Sequence, residues 1–129
     1  MAHLNVRSLK NRDHLVQLQT LVSEKGFNVL AISESWLNST VSNVEVEIGG
    51  YKLFRQDRLR KRGGGVCVYI RISLKAKVLK ELCAISDSGF QQFWLEIQHK
   101  KLKVILLCVV YRPLCPALVT ILWKTTCML

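Results

Sequence analysis

The chain has 129 residues, 50% of them hydrophobic and 22% charged, and its 19 Lys and Arg against 9 Asp and Glu leave a formal net charge of +10. That length holds one domain at most, and the balance excludes collagen, a coiled coil, an acidic tail and disorder of the whole. The longest apolar run, Val104 to Tyr111, falls well short of the ~18 residues a membrane-spanning helix needs.

The chain opens on Met1-Ala-His-Leu-Asn-Val-Arg7, which lacks a basic region leading into an apolar core, so no secretory signal is read and an intracellular address is expected. Leu15, Leu18 and Val22 recur at three- and four-residue spacing, which predicts an amphipathic helix over Asn11 to Lys25, stopped by Gly26. Phe27 to Ile32 is apolar and rich in β-formers, the pattern of a strand covered on both faces, and it ends in Ser33-Glu34-Ser35-Trp36. Gly49-Gly50 turns a polar stretch into a strand over Tyr51 to Arg55. After a basic loop closed by Gly63-Gly-Gly65, Val66, Val68 and Ile70 alternate with Cys67, Tyr69 and Arg71, which predicts a hairpin partner packing one face inward.

Phe93, Leu95 and Ile97 alternate again, Gln98 to Lys101 turns, and Leu102 to Tyr111 is the longest strand candidate, so a second hairpin is expected. Arg112 to Pro116 breaks regular structure, and the apolar tail from Ala117 to Leu129 shows no clear period and receives no assignment. No internal repeat or low-complexity segment interrupts this order. The expected class is α/β of the α+β kind, dominated by strands.

Cys67, Cys83, Cys108, Cys115 and Cys127 are odd in number and form neither a CxxC pair nor a Cys/His cluster at zinc spacing, so they read as reduced thiols. The positive charge, in contrast, is clustered. Arg55, Arg58, Arg60, Lys61 and Arg62 lie within eight residues with only Asp57 opposing them. Such a loop suits a phosphate backbone, although a solvated basic loop tip has the same composition.

Four signatures stand in order: Asn5-Val-Arg-Ser-Leu9; Ile32-Ser-Glu-Ser-Trp-Leu37; Gly50-Tyr51 with Arg55-x-Asp-Arg58 before Gly63-Gly-Gly-Val-Cys-Val-Tyr-Ile70; and Val109-Val-Tyr-Arg-Pro113. Over residues 3–113 this run resembles the N-terminal part of the endonuclease domain of LINE-type (non-LTR, jockey-like and CR1-like) retrotransposons. That domain belongs to the endonuclease/exonuclease/phosphatase family. The resemblance implies a four-layered α/β sandwich with its site at one edge, and cleavage of phosphodiesters with Mg²⁺ or Mn²⁺. By the same resemblance Asn5, at the end of the first strand, orients the metal or its water. Glu34 is the carboxylate ligand and Tyr111 lies beside the scissile phosphate. A hard cation suits those oxygen donors and offsets charge developing on the leaving oxygen.

Arg55, Arg58, Arg60, Lys61 and Arg62 are then candidate contacts to the DNA backbone, in the nucleus if the substrate is chromosomal. Trp36 is read as packing. Family members also use an Asp-x-Asn pair after the Tyr-Arg-Pro segment and a Ser/Thr-Asp-His group near the domain end. Here no Asp or Glu follows Glu96 and no histidine follows His99. Asp13-His14 opens a helix and does not replace them. The expectation is therefore a truncated, catalytically inactive endonuclease portion over 1–113, followed by an unrelated apolar tail over 114–129, with self-association through an uncovered sheet face. A nonenzymatic basic nucleic-acid-binding remnant, or a pseudogene product, is the alternative.

Overall fold

The computed structural model describes residues 1–58, 63–99, 103–112 and 118–127, which fall into two compact units, Met1–Arg71 and Ile72–Leu129. In the first unit β1 (Ala2–Asn5) leads through helix α1 (Arg12–Lys25) to β2 (Val29–Ser33), and β1 and β2 pair in parallel. Parallel neighbours need such a crossover, and the helix lies in it. A single 3-10 turn over Val44–Val46 precedes β3 (Tyr51–Gln56) and β4 (Val66–Arg71). The sheet order is β1-β2-β4-β3, with β4 antiparallel to both its neighbours.

Helix α1 starts where its side chains can close it. The Asn11 side chain accepts from the Asp13 and His14 amides, and Asp13 places negative charge in the first turn. Gly26, at φ 62°, ends the helix with its N–H on the Val22 carbonyl, a left-handed cap that favours glycine. Asp13 is thus a helix-start residue, as the sequence indicates.

Leu15, Leu18 and Val22 face a core with Leu30 and Ile32 of β2 and Cys67 and Tyr69 of β4, closed by Leu9, Leu37, Val46 and Ile48. The Tyr69 hydroxyl, wholly buried, donates to the Val46 carbonyl at 2.6 Å, which satisfies the one polar atom that side chain brings inside. β2 is buried along its whole length, as its apolar run suggests. β4 differs from expectation. Its alternation with Cys67 and Tyr69 predicts one inward face, yet Val66 to Ile70 are all buried. As a central strand β4 presents two apolar faces, because cysteine and tyrosine count here as core residues.

In the second unit all pairing among the described residues is antiparallel. β5 (Lys75–Val78), β6 (Ala84–Ile85), β7 (Gln91–His99), β8 (Lys103–Arg112) and β9 (Leu118–Cys127) form one sheet, ordered β5-β7-β8-β9 with β6 also on β7. The expected β7–β8 hairpin is present, and Gln91, Phe93, Leu95 and Ile97 are its buried alternation. β5 and β6 escape sequence reading because they are short, and in Lys75-Ala-Lys-Val78 lysines occupy alternate positions, a common way of blunting a sheet edge. The unassigned tail contains β9, in register with β8 from Arg112 opposite Leu118 to Lys103 opposite Cys127. The expected break after Arg112 lies outside the described residues.

Cys67, Cys83 and Cys108 are free thiols, and burial pushes the first and third up, Cys108 to about 11. Neither supplies a thiolate at neutral pH. Among the described residues, no helix is long and apolar enough to cross a membrane. Among the described residues the architecture is mixed α/β, with two sheets, one α-helix and otherwise mostly strands.

Candidate functional site

Three chain segments meet at the carboxyl ends of the parallel strands β1 and β2. Asn5 is in register with Ser33, and Glu34 is the next residue on leaving β2, so both candidates depart from the same sheet edge. Backbone hydrogen bonds then tie the segments together. Val6 donates to the Ser33 carbonyl (3.2 Å), Ser8 to that of Glu34 (2.7 Å) and Leu9 to that of Ser35 (2.8 Å). On the other side Ser35 donates to Gly65 (3.2 Å) and Trp36 to Gly64 (2.9 Å). The first and third motifs of the sequence are in this way laced to the second.

This lacing holds an unusual backbone. Among the described residues the non-glycine positions with positive φ are Arg7 (51°), Ser8 (97°), Glu34 (57°) and Trp36 (56°), all within these segments. Such conformations cost free energy that the surrounding hydrogen bonds must offset, and they collect where a side chain has to be aimed. Glu34 is aimed at its neighbour: Trp36 Nε1 donates to Glu34 Oε2 at 2.5 Å. The Trp36 ring in turn rests on Gly63, where a β-carbon would stand 3.4 Å from Nε1. Trp36 does pack, as the sequence suggests, but it also holds the candidate carboxylate.

Around this corner, His14 Nδ1–H donates to the Ser8 carbonyl at 3.0 Å and His3 Nε2 pairs with Ser33 Oγ at 3.2 Å. Burial lowers the His3 pKa, so that imidazole is held toward its neutral form. Asn5 itself is exposed and borders a depression lined by Leu4, Val6, His14, Gln17 and Leu18, in which Glu34 takes no part.

For a divalent cation Asn5 carries an amide oxygen and Glu34 a carboxylate oxygen, both hard donors, on segments that leave the same sheet edge. Among the described residues no three His, Cys, Asp or Glu gather to form a fuller cage. Two protein oxygens fit Mg²⁺, which keeps several waters and is often completed by substrate phosphate.

The remaining candidates have different fates. Arg55 is the anchor of the 38–43 loop. Its guanidinium donates to Asp57 from Nε (3.1 Å) and Nη2 (2.6 Å), to Val41 O (2.7 Å) and Asn43 Oδ1 (2.9 Å) from Nη1, and to Asn38 O (3.0 Å) from Nη2. With 14% of its side chain exposed, all five N–H groups are committed inside the protein. Arg58 lies across Gly64, where a β-carbon would sit 2.6 Å from its Cδ, and is partly exposed beside the glycine loop. Arg60, Lys61 and Arg62 lie outside the described residues. Tyr111 belongs to the second unit, buried in β8 opposite Gln91 and Val119.

Sequence reasoning passed over Ser35. Its hydroxyl is buried with no hydrogen-bond partner among the described residues and faces Gly65, where a β-carbon would meet it at 2.6 Å. No protein-family model matches the chain, and no curated protein matches it.

Proposed function

We propose that the chain is the N-terminal part of a LINE-type, metal-dependent DNA endonuclease domain, folded as part of a four-layered α/β sandwich. In this reading it binds DNA through phosphate and a divalent cation without turning it over. The supporting observation is the shared exit of Asn5 and Glu34 from neighbouring parallel strands, where their segments are cross-bonded to each other and to the glycine loop. Mg²⁺ or Mn²⁺ bound there would neutralise phosphate charge. Asn5 and Glu34 would hold it, and Arg58 would meet the backbone alongside it.

Cleavage needs more than this. The sequence supplies no acidic residue after Glu96 and no histidine after His99 to activate water or protonate a leaving group. Each such group contributes a factor of about 10² or more, so two or three are not replaced by positioning alone. Supercoiled plasmid incubated with the chain and Mg²⁺ or Mn²⁺ is expected to stay supercoiled; nicking abolished by Glu34→Ala would contradict the inactive reading.

Duplex binding, followed by fluorescence anisotropy, is expected to weaken steeply with salt, because the net charge of +10 releases counterions from DNA. Arg58→Glu should weaken it and lower the log–log salt slope by about one or more. Arg55→Lys should leave that slope alone while destabilising the 38–43 loop. Self-association through an uncovered sheet face belongs to the same proposal, and light scattering across concentration reads it.

The nonenzymatic alternative, a basic remnant gripping phosphate, is favoured by the charge cluster itself. It separates from the main reading by metal: duplex affinity that is indifferent to Mg²⁺ and to Glu34→Gln would favour it.

A further inference from the structure

We propose that the first unit carries a binding site for a small organic carboxylate, in a cleft between the C-terminal half of α1 and the start of β3, with the Arg71 guanidinium recognising the anion. The cleft lies within Met1–Arg71, at the far end of the sheet from Asn5 and Glu34. Arg71 follows Ile70, which pairs with Val29 at the start of β2, whereas Glu34 follows the end of that strand. The site is thus independent of any metal or DNA bound at the other end.

Arg71 closes β4 opposite Tyr51 of β3, with its guanidinium carbon 5.5 Å from the centre of the Tyr51 ring. Its Nη2 donates to the Gly26 carbonyl at 2.6 Å, to the Phe27 carbonyl at 3.4 Å and to the Tyr51 hydroxyl at 3.3 Å. Those bonds satisfy carbonyls where α1 ends, a usual task for a basic side chain, but they employ one nitrogen of three. Among the described residues Nε is buried with no hydrogen-bond partner, Nη1 makes no hydrogen bond, and Arg71 enters no ion pair. This guanidinium has given up water on one side and is met by carbonyl dipoles alone. Charges removed from water are otherwise paired, so the cation lacks its counter-charge.

The cleft beside it measures about 400 Å³, a size typical of small-molecule pockets. Val22, Ile48 and the Tyr51 ring give it apolar surface, and among the described residues that line it Arg71 is the one charged side chain. Gln19, whose Nε2 reaches the Glu47 carbonyl at 3.1 Å, keeps a second N–H, and Ser23 adds a hydroxyl. The Tyr51 hydroxyl donates to the Phe27 carbonyl and so has no proton to offer a ligand. One cation, a few neutral donors and apolar walls suit a monoanion with an apolar body. A phosphate dianion would bring a second negative charge to the carbonyl end of α1, where the helix dipole is already negative.

Benzoate is the probe, titrated into the full chain at constant ionic strength and followed through backbone amide and arginine Nε–H resonances, with benzyl alcohol as its neutral match. A ligand of this size should bind with a Kd of about 1 mM. The shifts should centre on residues 19–26, 48–51 and 71. Arg71→Gln keeps an N–H for the Gly26 carbonyl and removes the charge. It should weaken benzoate by about tenfold or more, the worth of one charge-assisted hydrogen bond, and leave benzyl alcohol unchanged. Arg71→Lys, which retains the charge, should lose less.

Shifts centred elsewhere, no shifts at benzoate concentrations well above that Kd, or equal benzoate affinity in wild type and Arg71→Gln would overturn the site. So would benzyl alcohol binding wild type as tightly as benzoate does, a comparison that decides the matter even where a variant does not fold. Inorganic phosphate is the third probe. It should bind more weakly than benzoate, and tighter binding would overturn the assignment to carboxylates.

Discussion

Gly65→Ala lowers the stability of the first unit by about 2–5 kcal/mol, the sum of a left-handed backbone cost of about 1–2 kcal/mol and an overpacking cost of about 1–3 kcal/mol. Gly65 sits at φ 86°, and a β-carbon there would stand 2.6 Å from Ser35 Oγ, closer than real atoms approach. Hydrogen exchange of the β2 and β4 amides reads this effect in the first unit alone, which matters because a chain of two units need not unfold in one step. Ser35→Ala separates the two contributions. It removes the obstructing hydroxyl, so in the double variant the overlap is relieved and only the backbone cost remains. On its own it raises stability by about 1 kcal/mol, because the hydroxyl it removes is buried without a partner among the described residues. Equal effects of Gly65→Ala in the presence and absence of Ser35 Oγ would show that the two do not touch.

Ile32→Ala is the second large loss. Ile32, on β2, is fully buried in the core that α1 closes, with Leu18, Val22, Cys67 and Tyr69, one residue before the end of the strand that delivers Glu34. Truncating a buried isoleucine in a filled core costs about 2–5 kcal/mol, a large share of the 5–15 kcal/mol that typically holds a domain folded. A urea titration followed by circular dichroism should show the midpoint fall sharply. Val44→Ala, at a position of the same unit that is 73% exposed, should leave it nearly unchanged. The contrast checks that the first sheet is closed by this core and not by surface contacts.

How far the sequence discloses the structure depends on whether a residue's task is periodic. Helix α1 is legible because Leu15, Leu18 and Val22 repeat on one face and Asn11 and Gly26 mark its ends. β2, the β3–β4 hairpin and the β7–β8 hairpin are legible from their runs and turns. β9 is hidden because Leu118 to Trp123 is apolar at nearly every position, which erases a two-residue period; its β-branched residues, Val119, Thr120, Ile121, Thr125 and Thr126, were the usable signal. At the candidate site, motif order marks Asn5 and Glu34 but not what surrounds them. That Arg55 would meet the carbonyls of Asn38 and Val41 is a matter of long-range folding, which local charge density does not encode. The Trp36 bond to Glu34 likewise depends on two left-handed residues that no propensity predicts.

The central claim is that Asn5 and Glu34 share one cation. Paramagnetic broadening by substoichiometric Mn²⁺ in the amide spectrum of the chain locates that ion directly. The account predicts that signals of residues 5–8 and 33–36 broaden first, and that either Asn5→Ala or Glu34→Gln restores them. Broadening centred on other residues, or unchanged by removing the Asn5 amide, would contradict it.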